Sequence, residues 1–311
     1  MSEETSTERQ GAGISIPTRT GFAYASVAVA AVLFGVAGAI SKFLFNQNIS
    51  PMSLTIIRTI VAAAIFLLLF RSSRAWRALA REDIGIIALI GFLTFGVTYT
   101  FYRAIDEAGV AVAIMLQYTA PIFVILFEFA MRGVGITKAK LIALALSTLG
   151  CLFLVGGQDL HADRASSYGI VFGLACGALF ALYNIAVNRA HERGLSESYI
   201  TTHSFSFAAL FAVFVAPTVQ LSVGSYGTNE WLAIAFIAVF ATVIPYRLHV
   251  SGLKIVPAFQ ATLVGMLDPV SAAIFAAAFL GENLNLLQIL GIVAILGGVA
   301  FSAKRGGLGS A

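Results

Sequence analysis

The stretch that decides the fold runs from Met266 to Ala303: MLDPVSAAIFAAAFLGENLNLLQILGIVAILGGVAFSA. It is two apolar runs joined by the short polar turn Gly281, Glu282 and Asn283, with Pro269 set inside the first run. Subtracting 148 from each number gives Tyr118 to Val155, YTAPIFVILFEFAMRGVGITKAKLIALALSTLGCLFLV, which follows the same plan. Pro121 falls on Pro269, Phe127 on Phe275, Gly133 on Gly281, Gly150 on Gly298 and Phe153 on Phe301, without a gap. In so apolar a chain single identities arise by chance, and it is the phase that carries weight. A proline inside a helix costs roughly 3 kcal/mol, yet both copies place one at the same point before a glycine turn. The chain therefore reads as two copies of one unit.

Composition says where those copies live. With 59% apolar residues, 11% charged residues and a mean hydropathy of +0.91, the 311-residue chain has more apolar surface than a water-soluble globule can bury, since soluble domains carry about a quarter charged residues. It is a membrane protein. The net charge of +4 does not indicate nucleic acid, because the basic residues are spread over short turns and form no single patch. Cys151 and Cys176 lie inside apolar runs without CxxC spacing and read as small hydrophobes.

A membrane-spanning helix needs about 20 apolar residues. Such runs occur at 21–45, 51–70, 83–102, 108–131 and 137–156, and again at 168–188, 197–217, 230–251, 256–280 and 284–303. The prediction is an all-α membrane protein with ten transmembrane helices. Residues 1–19 are expected to form a disordered polar tail, 20–157 the first repeat, 158–304 the second, and 305–311 a short tail. Lys and Arg in the turns set orientation. On the side of the N-terminus stand Arg9, Arg19, Arg71, Arg74, Arg77, Arg81, Arg132, Lys138, Lys140, Arg189, Arg193, Lys254, Lys304 and Arg305, against Lys42, Arg103 and Arg164 on the other. Both termini are thus expected in the cytoplasm, with the chain in the cytoplasmic (inner) membrane. Five helices per copy is an odd number, so the second copy enters from the opposite face. Inverted repeats of this kind are the architecture by which secondary transporters alternate access to a midplane site.

These residues also resemble a known family. Ten helices in two five-helix copies, each with a proline-bearing helix, a glycine turn and a glycine-rich last helix, are similar to the EamA-type drug/metabolite transporter superfamily. The phrase LDPVSAAIFAAAFLGENLNLLQILGIVAILGGV is its most specific part, and the first copy departs from it at Val134, where the second has Glu282. Length and aromatic content are similar to those of YddG-type amino-acid exporters. The resemblance implies export of small metabolites.

Candidate sites each have a functional and a plainer reading. Gly169, Gly173 and Gly177 form one ridge at i+4 spacing, which suits close helix packing or, with Phe34–Gly35 aligned on Phe180–Ala181, a rocking surface. Phe95, Tyr99 and Tyr102 share a face of the third helix; they either line a cavity or belong to an interfacial aromatic belt, the belt being the stronger reading for Tyr102 beside Arg103. Tyr118 is mid-span, where a belt cannot explain it. Tyr183, Asn184 and Tyr246 need polar partners in the membrane, from one another or from substrate. His203 and His249 lie near helix ends and read first as hydrogen-bonded structural residues, with His203 kept as a cavity candidate.

Intramembrane charges are functional hypotheses by default. Asp268, just before Pro269, either gains and loses a proton during transport or satisfies backbone groups freed around the proline. Arg58 would suit a substrate carboxylate or could snorkel to the outer surface. Glu128 can pair with Arg132 at i+4. Pro121 and Pro269 are the expected hinges. No nucleotide loop, HExxH motif, positioned nucleophile or Cys/His metal cluster occurs, so neither cofactor nor metal is expected and the chain is not expected to be an enzyme. The expected partners are a small-molecule substrate and the lipid bilayer, and the chain is expected to work as a monomer. An exporter of amino acids, including aromatic and other apolar ones, fits best. Export of other metabolites or drugs, a membrane enzyme acting on lipid, and a channel or receptor are the alternatives.

Overall fold

The computed structural model describes residues 16–71, 79–133, 135–156, 166–221, 223–280 and 284–306. The turn at 281–283, most of both tails and the loops carrying Arg74, Arg77 and Arg164 lie outside them. Among the described residues, ten helical spans are long and apolar enough to cross a membrane. The first half comprises α1 (Ile16–Asn46), α2 (Pro51–Phe70), α3 (Ile84–Ala108), the broken span α4 (Val110–Gln117) with α5 (Ala120–Arg132), and α6 (Lys138–Gly156). The second comprises α7 (Ser167–Glu192), α8 (Glu197–Val215), the span α9 (Thr228–Ala238) with α10 (Ile244–Gly252), the span α11 (Ala258–Gly265) with α12 (Leu267–Leu280), and α13 (Leu286–Gly306).

Local chemistry sets the ends of these spans. Ser50, Ser166 and Ser196 stand at the starts of α2, α7 and α8, and each side chain accepts a backbone N–H of the first turn, which would otherwise have no partner. α1 begins at Ile16, so its first turn includes residues expected in the tail, and Pro17 stands where a missing N–H costs nothing. α3 continues past the expected end at residue 102. Arg103 supports the extra turns by pairing with Glu107 at 2.7 Å and with Asp106 at 3.6 Å. The helix then stops at Gly109, whose φ of 85° favours a residue without a Cβ. Glu128 pairs with Lys140 of α6 at 3.0 Å; the Arg132 side chain expected beside it lies outside the described residues.

Three spans are interrupted, each next to a proline. Pro121 lacks the N–H that would bond the carbonyl of Gln117, and Pro269 does the same to Gly265; the breaks fall at 118–119 and at 266, on matching positions of the two copies. In the eighth span a π-helical turn, Val239–Val243, precedes Pro245 and leaves Ala241 in the corresponding position, with Thr242 Oγ1 donating to the Ile237 carbonyl at 2.8 Å.

The halves are related by a two-fold exchange that can be read from contacts. α6 packs on α13 so closely that a Cβ on Gly150 would meet Gly291 O at 2.7 Å, while one on Gly298 would meet Ala143 O at 3.0 Å. Adding 148 turns Ala143 into Gly291 and Gly150 into Gly298, so the two contacts interchange. Gly150 against Ile295 and Gly298 against Ser147 interchange in the same way. Such reciprocal contacts mark a two-fold interface. The remaining pairings follow suit: α3 with α7 mirrors α10 with α1, and the span α4–α5 against α7 mirrors α11–α12 against α1. The described residues form an all-α protein of two inverted five-span repeats.

Candidate functional site

Where the interrupted spans meet, a cavity of about 60 Å³ lies between the repeats. It has room for roughly four waters by the usual minimum of about 15 Å³ each. Gln117, Gly265 and Ala241, whose carbonyls lose their helical partners to the prolines, all line it, as do Tyr118 and Asp268 beside the breaks. Phe34 of α1 and Phe180 of α7, which occupy aligned positions of the two copies, both line it, with Arg58, Phe101, Tyr102, Tyr246 and His249 also on its wall. Half-helices broken around a site between repeats place irregular backbone where it lines a cavity and not where it would face lipid.

Two charges of opposite sign border this space. Arg58 is 6% exposed; its Nη1 donates to Tyr102 Oη at 2.9 Å, and its guanidinium lies 5.6 Å from the Tyr102 ring and 6.0 Å from that of Tyr246. Snorkelling to the surface is therefore not what Arg58 does. Tyr102 is 1% exposed and also packs edge-on to Phe45, so the belt reading for it is replaced by a buried one. Asp268 is 3% exposed, and its Oδ2 accepts the Tyr118 hydroxyl at 2.9 Å, a bond that joins the two breaks across the repeats. The local reading, in which this carboxyl caps backbone freed by Pro269, does not hold: its hydrogen-bond partner is a side chain of the other half. The residue's own carbonyl accepts from Ser271 Oγ at 2.7 Å. Among the described residues, no carboxylate lies in ion-pair contact with Arg58, and no cation with Asp268.

The other candidates spread over several places. Asn184 Nδ2 donates to Phe180 O at 2.7 Å, which fixes the amide, so its Oδ1 accepts from His249 Nε2 at 2.8 Å and that ring nitrogen carries the hydrogen. Tyr183 stacks on Phe180 and meets Tyr246 edge-on at 5.9 Å. Tyr183 and Asn184 of α7 thus stand behind the cavity wall, against Phe180, Tyr246 and His249 that line it. Phe95 packs on Phe211 and Tyr99 on Phe172, away from the cavity. His203 lies edge-on to Tyr199 at 4.5 Å, also elsewhere. The glycine ridge of α7 is a packing surface: a Cβ at Gly169 would strike Ala108, one at Gly173 Leu116, and one at Gly177 Thr119, each at 2.6 Å. His249, Gln117 and Thr98 line the cavity without having been singled out for it. Counting four residues back from Pro121 would have found Gln117; nothing in the sequence around His249 distinguishes it.

Among the described residues no group of three His, Cys, Asp or Glu could hold a metal ion. The sequence profile described as the EamA-like transporter family matches residues 21–156 and again 167–303. This chain belongs to that family. The transporter is similar to YetK of Bacillus subtilis (strain 168), 25% identical over 94% of this chain and 89% of the relative. It is also similar to a transporter of Archaeoglobus fulgidus, 28% identical over 90% and 96%. A third relative, the threonine/homoserine exporter RhtA of Escherichia coli (strain K12), is 28% identical over 87% of this chain and 86% of its own length. A solved crystal structure with 18% identity superposes with a TM-score of 0.73 over 95% of the transporter and 100% of that chain, a likeness of fold. The protein is thus a multi-pass membrane transporter of the drug/metabolite type.

Proposed function

We propose that this transporter exports small organic metabolites, amino acids foremost, from the cytoplasm by alternating access between its inverted repeats. The observation that carries the reading is the cavity itself: it sits between repeats at three helix interruptions and is bordered by both signs of charge on otherwise apolar and aromatic walls. Aromatic walls suit apolar and aromatic side chains, and a relative named as an exporter of threonine and homoserine supports amino acids as the class. Each chain contains a whole cavity, so a monomer suffices. On this reading the chain lies in the inner membrane with both termini in the cytoplasm, following the Lys and Arg bias of the turns.

Transport is tested by counterflow. Purified protein in liposomes preloaded with unlabelled threonine, leucine or phenylalanine is expected to accumulate the same labelled amino acid transiently and with saturation. Unsaturable flux would point to a channel, and absence of exchange for every amino acid would remove the class. Orientation is tested by impermeant thiol labelling in intact cells, on a protein lacking Cys151 and Cys176. Cysteines placed after Gln47, Asp159 and Gly227 are expected to react from outside, and ones beside Arg74, Lys138 and Arg193 only after lysis. Outside labelling in the second group would reverse the assigned orientation.

A further inference from the structure

A charged group buried in a membrane protein is costly unless a partner offsets it. Arg58 and Asp268 come from different repeats and border one cavity, yet neither is paired with an opposite charge among the described residues. Each is steadied by tyrosine: Arg58 Nη1 by Tyr102 Oη and Asp268 Oδ2 by Tyr118 Oη, both at 2.9 Å, with the Tyr246 ring also 6.0 Å from the Arg58 guanidinium. On the other side of each group an atom is left over. Among the side chains lining the cavity, Arg58 Nε and Asp268 Oδ1 are the buried polar atoms without a hydrogen-bond partner. Space beside Oδ1 exists because residue 35 is glycine; a Cβ there would lie 2.8 Å from that oxygen.

We propose that the cavity recognises its substrate as a zwitterion, with Arg58 holding the carboxylate and Asp268 the ammonium group. The inference rests on the amino-acid reading above and narrows it. A zwitterion brings no net charge into the cavity and gives each buried charge its counter-charge at once. A free amine would answer Asp268 and leave Arg58 unpaired, and a carboxylic acid would do the reverse. Sites with buried polar groups reject ligands that leave one unanswered far more strongly than they reject small changes of shape. Tyr102 and Tyr118 act as positioning residues that keep the charged groups turned for this task. Selectivity then falls on the backbone groups of the amino acid, and the Phe34, Phe101 and Phe180 walls impose only size and apolarity on its side chain.

The test uses the full chain in liposomes with labelled leucine as the probe, competed by its decarboxylated amine, 3-methylbutylamine, and its deaminated acid, 4-methylpentanoate. Each is expected to compete at least tenfold more weakly than unlabelled leucine. In Asp268→Asn the penalty on the acid should collapse towards one while that on the amine persists; in Arg58→Gln the penalty on the amine should collapse instead. A merely structural role would change rates without exchanging the two preferences. The inference is overturned if either analogue competes with the unchanged protein as well as leucine does, or if a substitution shifts both penalties equally. Should a variant fail to reconstitute, the competition on the unchanged protein decides alone. If leucine does not exchange, threonine and phenylalanine with their own amines and acids take its place; failure of all three overturns the amino-acid reading and this inference with it. Exchange without discrimination overturns the inference only.

Discussion

Arg58→Met is expected to cut flux by ten- to a hundredfold while leaving the protein as stable as before, or more so. Methionine keeps most of the volume and removes a charge that no carboxylate offsets among the described residues. Burying such a charge costs several kcal/mol, so its loss relieves the fold. The hydrogen bond to Tyr102 disappears with it, but the tyrosine hydroxyl remains beside a cavity that can hold water. Charge-assisted bonds to a substrate contribute about 1.5–3 kcal/mol, which is the stated range of flux. Opposite movement of stability and activity is the mark of a charge kept for function. A thermal midpoint in detergent that falls by several degrees along with flux would make Arg58 a structural residue instead.

Gly35→Val should be nearly as damaging by a different route. A Cβ at this point would lie 2.8 Å from Asp268 Oδ1, 2.9 Å from the Asp268 carbonyl and 2.9 Å from Ser271 Oγ. One of these is backbone, so α1 must part from α12 to accept any side chain, at a cost of roughly 1–3 kcal/mol. The displaced residue is the one that closes the cavity at the second break, and flux is expected to drop at least tenfold with the protein still inserted. Gly96→Ala is the control, since its nearest neighbour is the mobile tip of Leu179 at 3.2 Å. Equal loss in both proteins, measured by the same counterflow assay, would mean that close packing in general, rather than contact with Asp268, sets the rate.

The spans were legible because lipid leaves the chain so little choice: without water every backbone group must bond internally, and a long apolar run can only be a helix. The repeat was legible through the phase of Pro121 and Pro269, and those prolines foretold two of the three interruptions. The third, a π turn ahead of Pro245, has its own proline but no matching one in the first copy, where position 97 is valine, so no repeat phase drew attention to it. The cavity was harder to read. A soluble helix shows its buried face by a polar stripe opposite it, but a helix in lipid is apolar on both faces. Phe34 and Phe180 therefore look like Phe22, which is 71% exposed. Charge and polarity deep in a span broke the ambiguity, which is why Arg58, Asp268, Tyr118 and Tyr246 stood out. Tyr102 shows the limit of that signal, because its neighbour Arg103 suggested an interface although the ring points inward to Arg58.

The hydrogen bond between Tyr118 and Asp268 has a consequence for the energetics of turnover. In a protein of inverted repeats the opposite-facing state is reached by exchanging the conformations of the halves. Under that exchange Tyr118 hands its place to Met266 and Asp268 hands its place to Ala120, and neither can donate or accept through its side chain. The latch therefore closes in one direction only. A bond of about 1 kcal/mol tilts the empty carrier roughly fivefold towards the facing seen here, so a protein whose skeleton is symmetric need not idle symmetrically. Where the carrier rests between cycles, and hence which side of the membrane it samples first, is written in four side chains at two helix breaks.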